Sequence, residues 1–457
     1  MDEKQDEKDE IVVEAVEEIG EGLDEEAAIA LDDPRRFNMV ERDQYNTWLP
    51  DFLGEGFEQM TIPLAPDDEG ECVFTVIRYR PENDPEIGKA TKNPNFVFLA
   101  VHGWNDYFYH PHIARKIASI GGAFYAIDLR KYGRSLRPGQ TVGFVKDLVT
   151  YDEEIRLARR VIASEFDPNI PLILYGHSTG GLTAALWAQR HPHSLAGLVL
   201  NSPWLEFQSY TALRAVGGPM LSTLSRLAPK QEIPMYDNGF YQRTLTSWRE
   251  GEEVYGSRTE EEIKAGAGHI LSDPDAVLHR DPHPWAPAET TDPFWTTGWQ
   301  PDPRFRAFPS WAVRTGWLSA ILSGHAQVAK GLQIDCPILV LTSTQSTRES
   351  DWCEEYLRTD SVLDVGQIWK RVSWLGNHVA LIKIPNAIHD VTLSREEVRT
   401  QALSHIAEFI NIHMGKRPLP PNHPSHITKI WQDRLLRLRL RTNQAQDTVR
   451  EWTKKFR

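Results

Sequence analysis

Short apolar runs, bounded by glycine, proline or asparagine, recur through the middle of this chain and predict buried strands. Residues 96–101, 171–175, 197–201, 337–343 and 379–384 have this form. Helical patterns follow several of them. Residues 181–188 read as a helix directly after the second run, and another helix is predicted from near Ser394. Val365, Ile368, Trp369 and Val372 share one helical face, and Asp364 stands immediately before them. That position predicts a helix N-cap for Asp364, its carboxylate accepting an otherwise unpaired amide of the first turn.

Two intervals break the alternation. Between the strands at 197–201 and 337–343 lies a stretch, 208–330, far longer than an ordinary connection. We read it as a cap over the active site. It carries Trp248, Trp285, Trp295, Trp299, Trp311 and Trp317, which either line an apolar pocket or form the cap's own small core. Eight prolines between Pro274 and Pro309 predict an irregular course there. The second interval is carboxy-terminal. Beyond a proline-rich hinge at 418–424, Trp431, Leu435, Leu438, Thr442, Ala445, Val449, Trp452 and Phe456 recur at spacings of four and three. This predicts a long amphipathic helix with coiled-coil-like periodicity.

Charge sharpens the division. Residues 1–33 carry a net −13 and residues 416–457 a net +8, in a chain of net −14. An acidic arm with few aromatics is expected to be at least partly disordered. The basic helix can lie on the body, pair with a second copy or the acidic arm, or rest on a membrane surface. Nucleic acid is not expected, since the body is acidic and no recognition motif accompanies the basic helix. Cys72, Cys336 and Cys353 are odd in number and lack zinc-ligand spacing. No apolar run approaches a membrane span, and the acidic start is unlike a signal peptide, so a cytoplasmic chain is expected. There is no P-loop or dinucleotide fingerprint, and no cofactor or metal is expected.

The candidate chemistry centres on Gly176-His177-Ser178-Thr179-Gly180, set between a predicted strand and a predicted helix. A turn this tight requires positions without bulk on either side of the serine, and it lifts the hydroxyl above the sheet edge. Its partners are expected later in the order acid, then histidine. His389, in the loop after the strand at 379–384, is the candidate base. For the acid we favour Asp360, with Asp364, Asp351 and Glu349 as alternatives. Behind the strand at 96–101, His102-Gly103-Trp104 offers the Trp104 amide, and Thr179 offers a second, as an oxyanion hole. His102 is expected to brace that loop, and His177 to point away from the serine.

Together Val101-His102-Gly103-Trp104, Ile127-Asp128-Leu129-Arg130-Lys131-Tyr132-Gly133-Arg134-Ser135, Gly176-His177-Ser178-Thr179-Gly180-Gly181 and Ile388-His389-Asp390 resemble the α/β-hydrolase superfamily. Within it they are most similar to the monoacylglycerol lipase, lysophospholipase and serine-aminopeptidase-like branch, whose D-x-R-x-x-G-x-S loop Asp128 to Ser135 reproduces. The resemblance covers roughly residues 70 to 415. It implies an α/β fold with a mostly parallel central sheet flanked by helices and a large cap insertion. It also implies hydrolysis of an ester or amide through an acyl-enzyme. One departure stands out: about fifteen extra residues separate the strand at 337–343 from the acid loop.

The expected organisation is an acidic arm (1–43), a first core part (44–207), the cap (208–330), a second core part (331–415), and the hinge with its basic helix (416–457). A carboxylic ester such as a monoacylglycerol or lysophospholipid is the leading substrate. The alternatives are an aminopeptidase on the same fold, which would need a cap carboxylate to hold a substrate ammonium, and a catalytically silent fold used for binding.

Overall fold

The computed structural model describes residues 40–85, 93–207, 221, 223–233, 237–248, 253–269 and 298–414. Nearly all of the acidic arm, the proline-rich stretch of the cap as far as Pro293 along with Trp285 and Trp295, and the carboxy-terminal hinge and predicted helix lie outside the described residues.

Eleven strands are described: β1 Leu49–Pro50, β2 Phe57–Pro63, β3 Val73–Tyr79, β4 Phe96–Val101, β5 Gly122–Asp128, β6 Leu172–His177, β7 Gly197–Asn201, β8 Glu232–Ile233, β9 Val313–Arg314, β10 Ile338–Ser343 and β11 Val379–Ile384. Nine form one sheet in the order β1-β2-β3-β5-β4-β6-β7-β10-β11, while β8 and β9 form a small separate pair. The first three pairings, from β1 to β5, are antiparallel, and the rest of the large sheet is parallel. Each predicted strand matches an observed one to within two residues.

The central parallel strands β4, β6, β7 and β10 are buried along their whole length because both faces are covered. Val97, Leu99 and Val101 of β4 join a core with Ile155 and Ile162 of the helix Asp152–Glu165 and Leu182 and Leu186 of the helix Thr179–Arg190. Phe98, one residue out of phase, turns to the other face and packs on Phe124 and Tyr175. That second face is covered in part by the helix Glu396–Met414, whose Phe409 lies against Gly197. Burying each such aliphatic side chain contributes about 1.5–3 kcal/mol.

Register places the functional loops side by side. Val101 pairs with Gly176, and His177 pairs with Asn201, so β4, β6 and β7 end at one level. The loops after these carboxyl ends share one edge of the sheet, the usual place for a ligand in such folds.

The region read as a cap contains the short helices Phe240–Leu245 and Glu260–Lys264 and ends in the helix Thr315–Val328. The last of these packs its Gly324 onto Leu182 and Leu186, so it is continuous with the main core. Trp311 and Trp317 belong to that core, and Trp299 to a smaller cluster with Tyr107, Leu245 and Ile388. These three tryptophans therefore fasten the region to the body.

Candidate active site

The serine arm is built from backbone constraints. Ser178 sits at φ 52° and ψ −115°, a region few residues other than glycine occupy. Its amide donates to the Asn201 carbonyl at 3.0 Å, and its carbonyl accepts from Gly181, Leu182 and Trp204. The flanking glycines are required by contact. A Cβ on Gly176 would collide with the Gly180 carbonyl, and one on Gly180 with the carbonyls of His102 and Val101. Ser178 directly precedes the helix Thr179–Arg190, whose positive dipole end faces the hydroxyl's surroundings.

His389 follows β11 in a loop closed by the Ile388 amide donating to Ser394 Oγ at 3.0 Å. Its Nε2 lies 3.1 Å from Ser178 Oγ, and its Nδ1 lies 2.9 Å from Asp360 Oδ2. Asp360 is completely buried, and its other oxygen accepts the amides of Val362 and Leu363 at 2.9 and 2.7 Å. With Oδ1 so occupied, Oδ2 is left facing the imidazole. Asp364 caps the helix Val365–Val372 through the Gly366 amide at 2.9 Å. Asp351 and Glu349 are exposed on the loop before Asp360. Of the four candidate carboxylates, Asp360 is the one brought to His389.

Trp104 and Thr179 also reach the serine. A Cβ on Gly103 would stand 3.2 Å from the Ser178 Cβ, which puts the Gly103–Trp104 peptide against the Ser178 turn. Among the described residues, neither the Trp104 nor the Thr179 amide has a protein acceptor. His102 accepts the Leu129 amide on Nε2 at 3.0 Å, so its Nδ1–H donates to the Gly103 carbonyl at 2.7 Å. Since a peptide is planar, holding that carbonyl also aims the Trp104 N–H. Burial lowers the His102 pKa and keeps the ring in the neutral form this bridge requires.

The D-x-R-x-x-G-x-S loop fixes the same region from below. Asp128 accepts the Phe108 amide on one oxygen and the Arg134 guanidinium on the other, at 2.9 and 2.8 Å. Arg134, fully buried, also makes a bidentate pair with Asp51 and donates to the Phe108 carbonyl. Gly133 is at φ 47°, and a side chain there would strike Asp128 and Tyr107.

Sequence reasoning missed a second buried cluster behind the imidazole. His177 donates from Nδ1 towards the Asn201 carbonyl at 3.2 Å, and its ring lies 4.9 Å from that of His389. Asp390 lies between His177 and His110, at 3.8 and 3.7 Å, and accepts from Asn201 and Thr392. Burial would raise its pKa, but these neighbours outweigh burial and hold its carboxyl well below the usual range. Burial pushes His177 down and His110 down to about 3, so both imidazoles are neutral near pH 7. The available signal was adjacency, because His177 and Asp390 each neighbour a candidate catalytic residue in the chain.

Nine strands in this order, a serine at a forced positive φ between β6 and its helix, and a histidine after the last strand decide the architecture. Its fold is that of the α/β hydrolases. Residues 92–267 match the family model described as serine aminopeptidase, S33. The monoacylglycerol lipase of Mycolicibacterium smegmatis is 30% identical over 146 residues, covering 32% of this chain and 50% of the relative. A probable lysophospholipase of Arabidopsis thaliana, BODYGUARD 1, is 28% identical over 200 residues, covering 43% of this chain and 38% of the relative. The matches thus span half or less of these relatives' length. Among solved structures, a lipase in its open form superposes with a TM-score of 0.51 at 16% identity, covering 78% of this chain and all of that one. The chain thus has the α/β-hydrolase fold, with the family match confined to residues 92–267 and partial similarity to lipase-type relatives. Among its described residues, no helix is long and apolar enough to cross a membrane.

Proposed function

We propose that the chain is a serine hydrolase that cleaves a carboxylic ester, such as a monoacylglycerol or lysophospholipid, through an acyl-enzyme. One observation carries the reading: the hydrogen-bonded line from Asp360 through His389 to Ser178, 2.9 Å and then 3.1 Å. In this reading His389 takes the Ser178 proton as Oγ attacks the substrate carbonyl. The proton then passes to the departing alkoxide, releasing an alcohol and leaving the acyl group on Oγ. Water, activated by the same imidazole, releases the acid and restores the serine. Asp360 keeps Nδ1 protonated and stabilises the imidazolium, while the Trp104 and Thr179 amides receive the oxyanion. The cytoplasmic location expected from the sequence belongs to this proposal, and subcellular fractionation checks it.

Among the described cap glutamates, Glu262 is engaged locally, which weighs towards an ester over an aminoacyl amide. Glu262 closes a capping box with Thr259 and meets His269, and Glu260 and Glu261 occupy the same exposed first turn. A fluorophosphonate probe should label Ser178, and p-nitrophenyl esters should turn over faster than aminoacyl anilides. Ser178→Ala should abolish labelling and remove on the order of 10⁶ in kcat. Labelling that persists in the alanine variant would refute the assignment, and anilides turned over in preference to esters would move it to the amide class.

A further inference from the structure

The extra residues ahead of the acid, 344–359, take no part in the line of hydrogen bonds just described, yet they have a partner. Tyr356 is buried and closes the excursion on itself, its hydroxyl donating to the Glu349 carbonyl at 2.7 Å. Trp352 stacks on Tyr356 at 5.7 Å. Phe240, the first residue of the helix Phe240–Leu245, sits against both rings, 4.7 Å from Tyr356 and 5.9 Å from Trp352. Trp248, just past that helix, meets Trp352 edge-on at 5.5 Å, and Thr244 Oγ1 donates to the Tyr356 carbonyl at 3.1 Å.

The residue after Phe240 points elsewhere, since successive side chains on a helix diverge by about 100°. Tyr241 meets the His389 imidazole edge to face, 5.4 Å between centroids at 82°. The Arg306 guanidinium covers its ring at 5.0 Å, and the ring packs on the cluster that contains Ile388. One short helix thus touches the acid's excursion with Phe240 and the histidine with Tyr241.

We propose that the 344–359 excursion is a clamp: through Phe240 it fixes the cap helix so that Tyr241 holds the His389 imidazole in line with Ser178. Tyr241 is then a positioning residue, and this rests on reading His389 as the general base. A hydroxyl–histidine separation of 3.1 Å tolerates little rotation of the ring, so a ring packed against the imidazole bears on proton transfer. A tyrosine that merely lined the acyl pocket would bear on substrate affinity instead.

The test compares Tyr241→Phe, Tyr241→Leu and Trp352→Leu in the full chain. Hydrolysis of p-nitrophenyl butyrate is measured alongside hydrogen exchange of the 385–393 segment. Tyr241→Leu is expected to lower kcat about tenfold or more, with KM within about twofold, and to speed exchange at 385–393. Tyr241→Phe, which keeps the ring, recovers most of kcat. Trp352→Leu reproduces the loss at smaller size from a residue that bonds neither Ser178 nor His389. A rise in KM with kcat unchanged would overturn the proposal in favour of a pocket wall, and unchanged exchange would overturn the clamp itself. Exchange is read whatever the chain hydrolyses. Faster exchange in Tyr241→Leu, with no esterase activity in the unaltered chain, would sustain the clamp and overturn the catalytic reading alone.

Discussion

The serine and acid arms of the site reach the same imidazole by different means. The serine arm is local: β6, the turn and the helix Thr179–Arg190 are contiguous, and carbonyl oxygens forbid side chains at Gly176 and Gly180. The acid arm is not. The chain leaves β10 at Ser343, runs through an aromatic excursion, and returns to pair Asp360 with Ser346 in an isolated bridge. Backbone sterics define the first arm, whereas side-chain packing and two amides on one oxygen define the second. A site of this kind can fail in two ways. The serine arm breaks by collision and the acid arm by loosening.

If the acid arm serves only to orient the base, Asp360→Asn should cost on the order of 10⁴ in kcat. Oδ1 would still accept the Val362 and Leu363 amides, so thermal stability should change little by comparison. A large loss of melting temperature with modest loss of rate would contradict that division. On the serine arm, Gly180→Ala should displace the turn against the His102 carbonyl and cost about 10²-fold in kcat or prevent folding. Wild-type turnover from a folded Gly180→Ala chain would show the elbow to be more pliable than its contacts indicate.

A third experiment probes the buried histidine cluster beside the serine arm. His110, facing Asp390, His112, His177 and Arg306, is held by burial near pKa 3. An unfolded histidine takes its proton near pH 6.5. His110 therefore contributes stability that is complete above pH 6.5 and falls by up to about 1.4 kcal/mol per unit as pH drops towards 3. In His110→Phe the urea midpoint should decline less steeply between pH 6.5 and 5 than in the unaltered chain, and parallel declines would refute this. The smallest effect is expected at Asp364→Ala, about 1 kcal/mol from the lost cap, with activity nearly unchanged.

The same contrast explains what could be read in advance. Strands β4, β6, β7 and β10 were legible because parallel strands covered on both faces leave uninterrupted apolar runs, and β11, only partly buried at the sheet edge, was legible from its own largely apolar sequence. Ser178 was legible because the elbow's steric demands appear as glycines at fixed positions. Asp360 was one of four carboxylates, since no local rule says where a chain returns after an excursion. Asp364 was distinguishable by its helix. Tyr241 left no mark, because a half-buried tyrosine on a short helix has no periodicity of its own. The cap tryptophans were read as pocket or private core, and Trp311 and Trp317 belong instead to the body's core, a pairing that only tertiary structure reveals.

Arg134 has a bearing on how the chain folds. Its guanidinium is wholly enclosed, with Asp51 on one side and Asp128 and the Phe108 carbonyl on the other. A guanidinium enclosed with half its partners missing is strongly disfavoured. The segment just after β1, the loop leaving β4 and the loop leaving β5 are therefore tied together through this one side chain. The edge of the sheet nearest Asp51 is in this sense coupled to the loop that follows His102. Fraying at Asp51 would be transmitted through one cation to the peptide that follows His102.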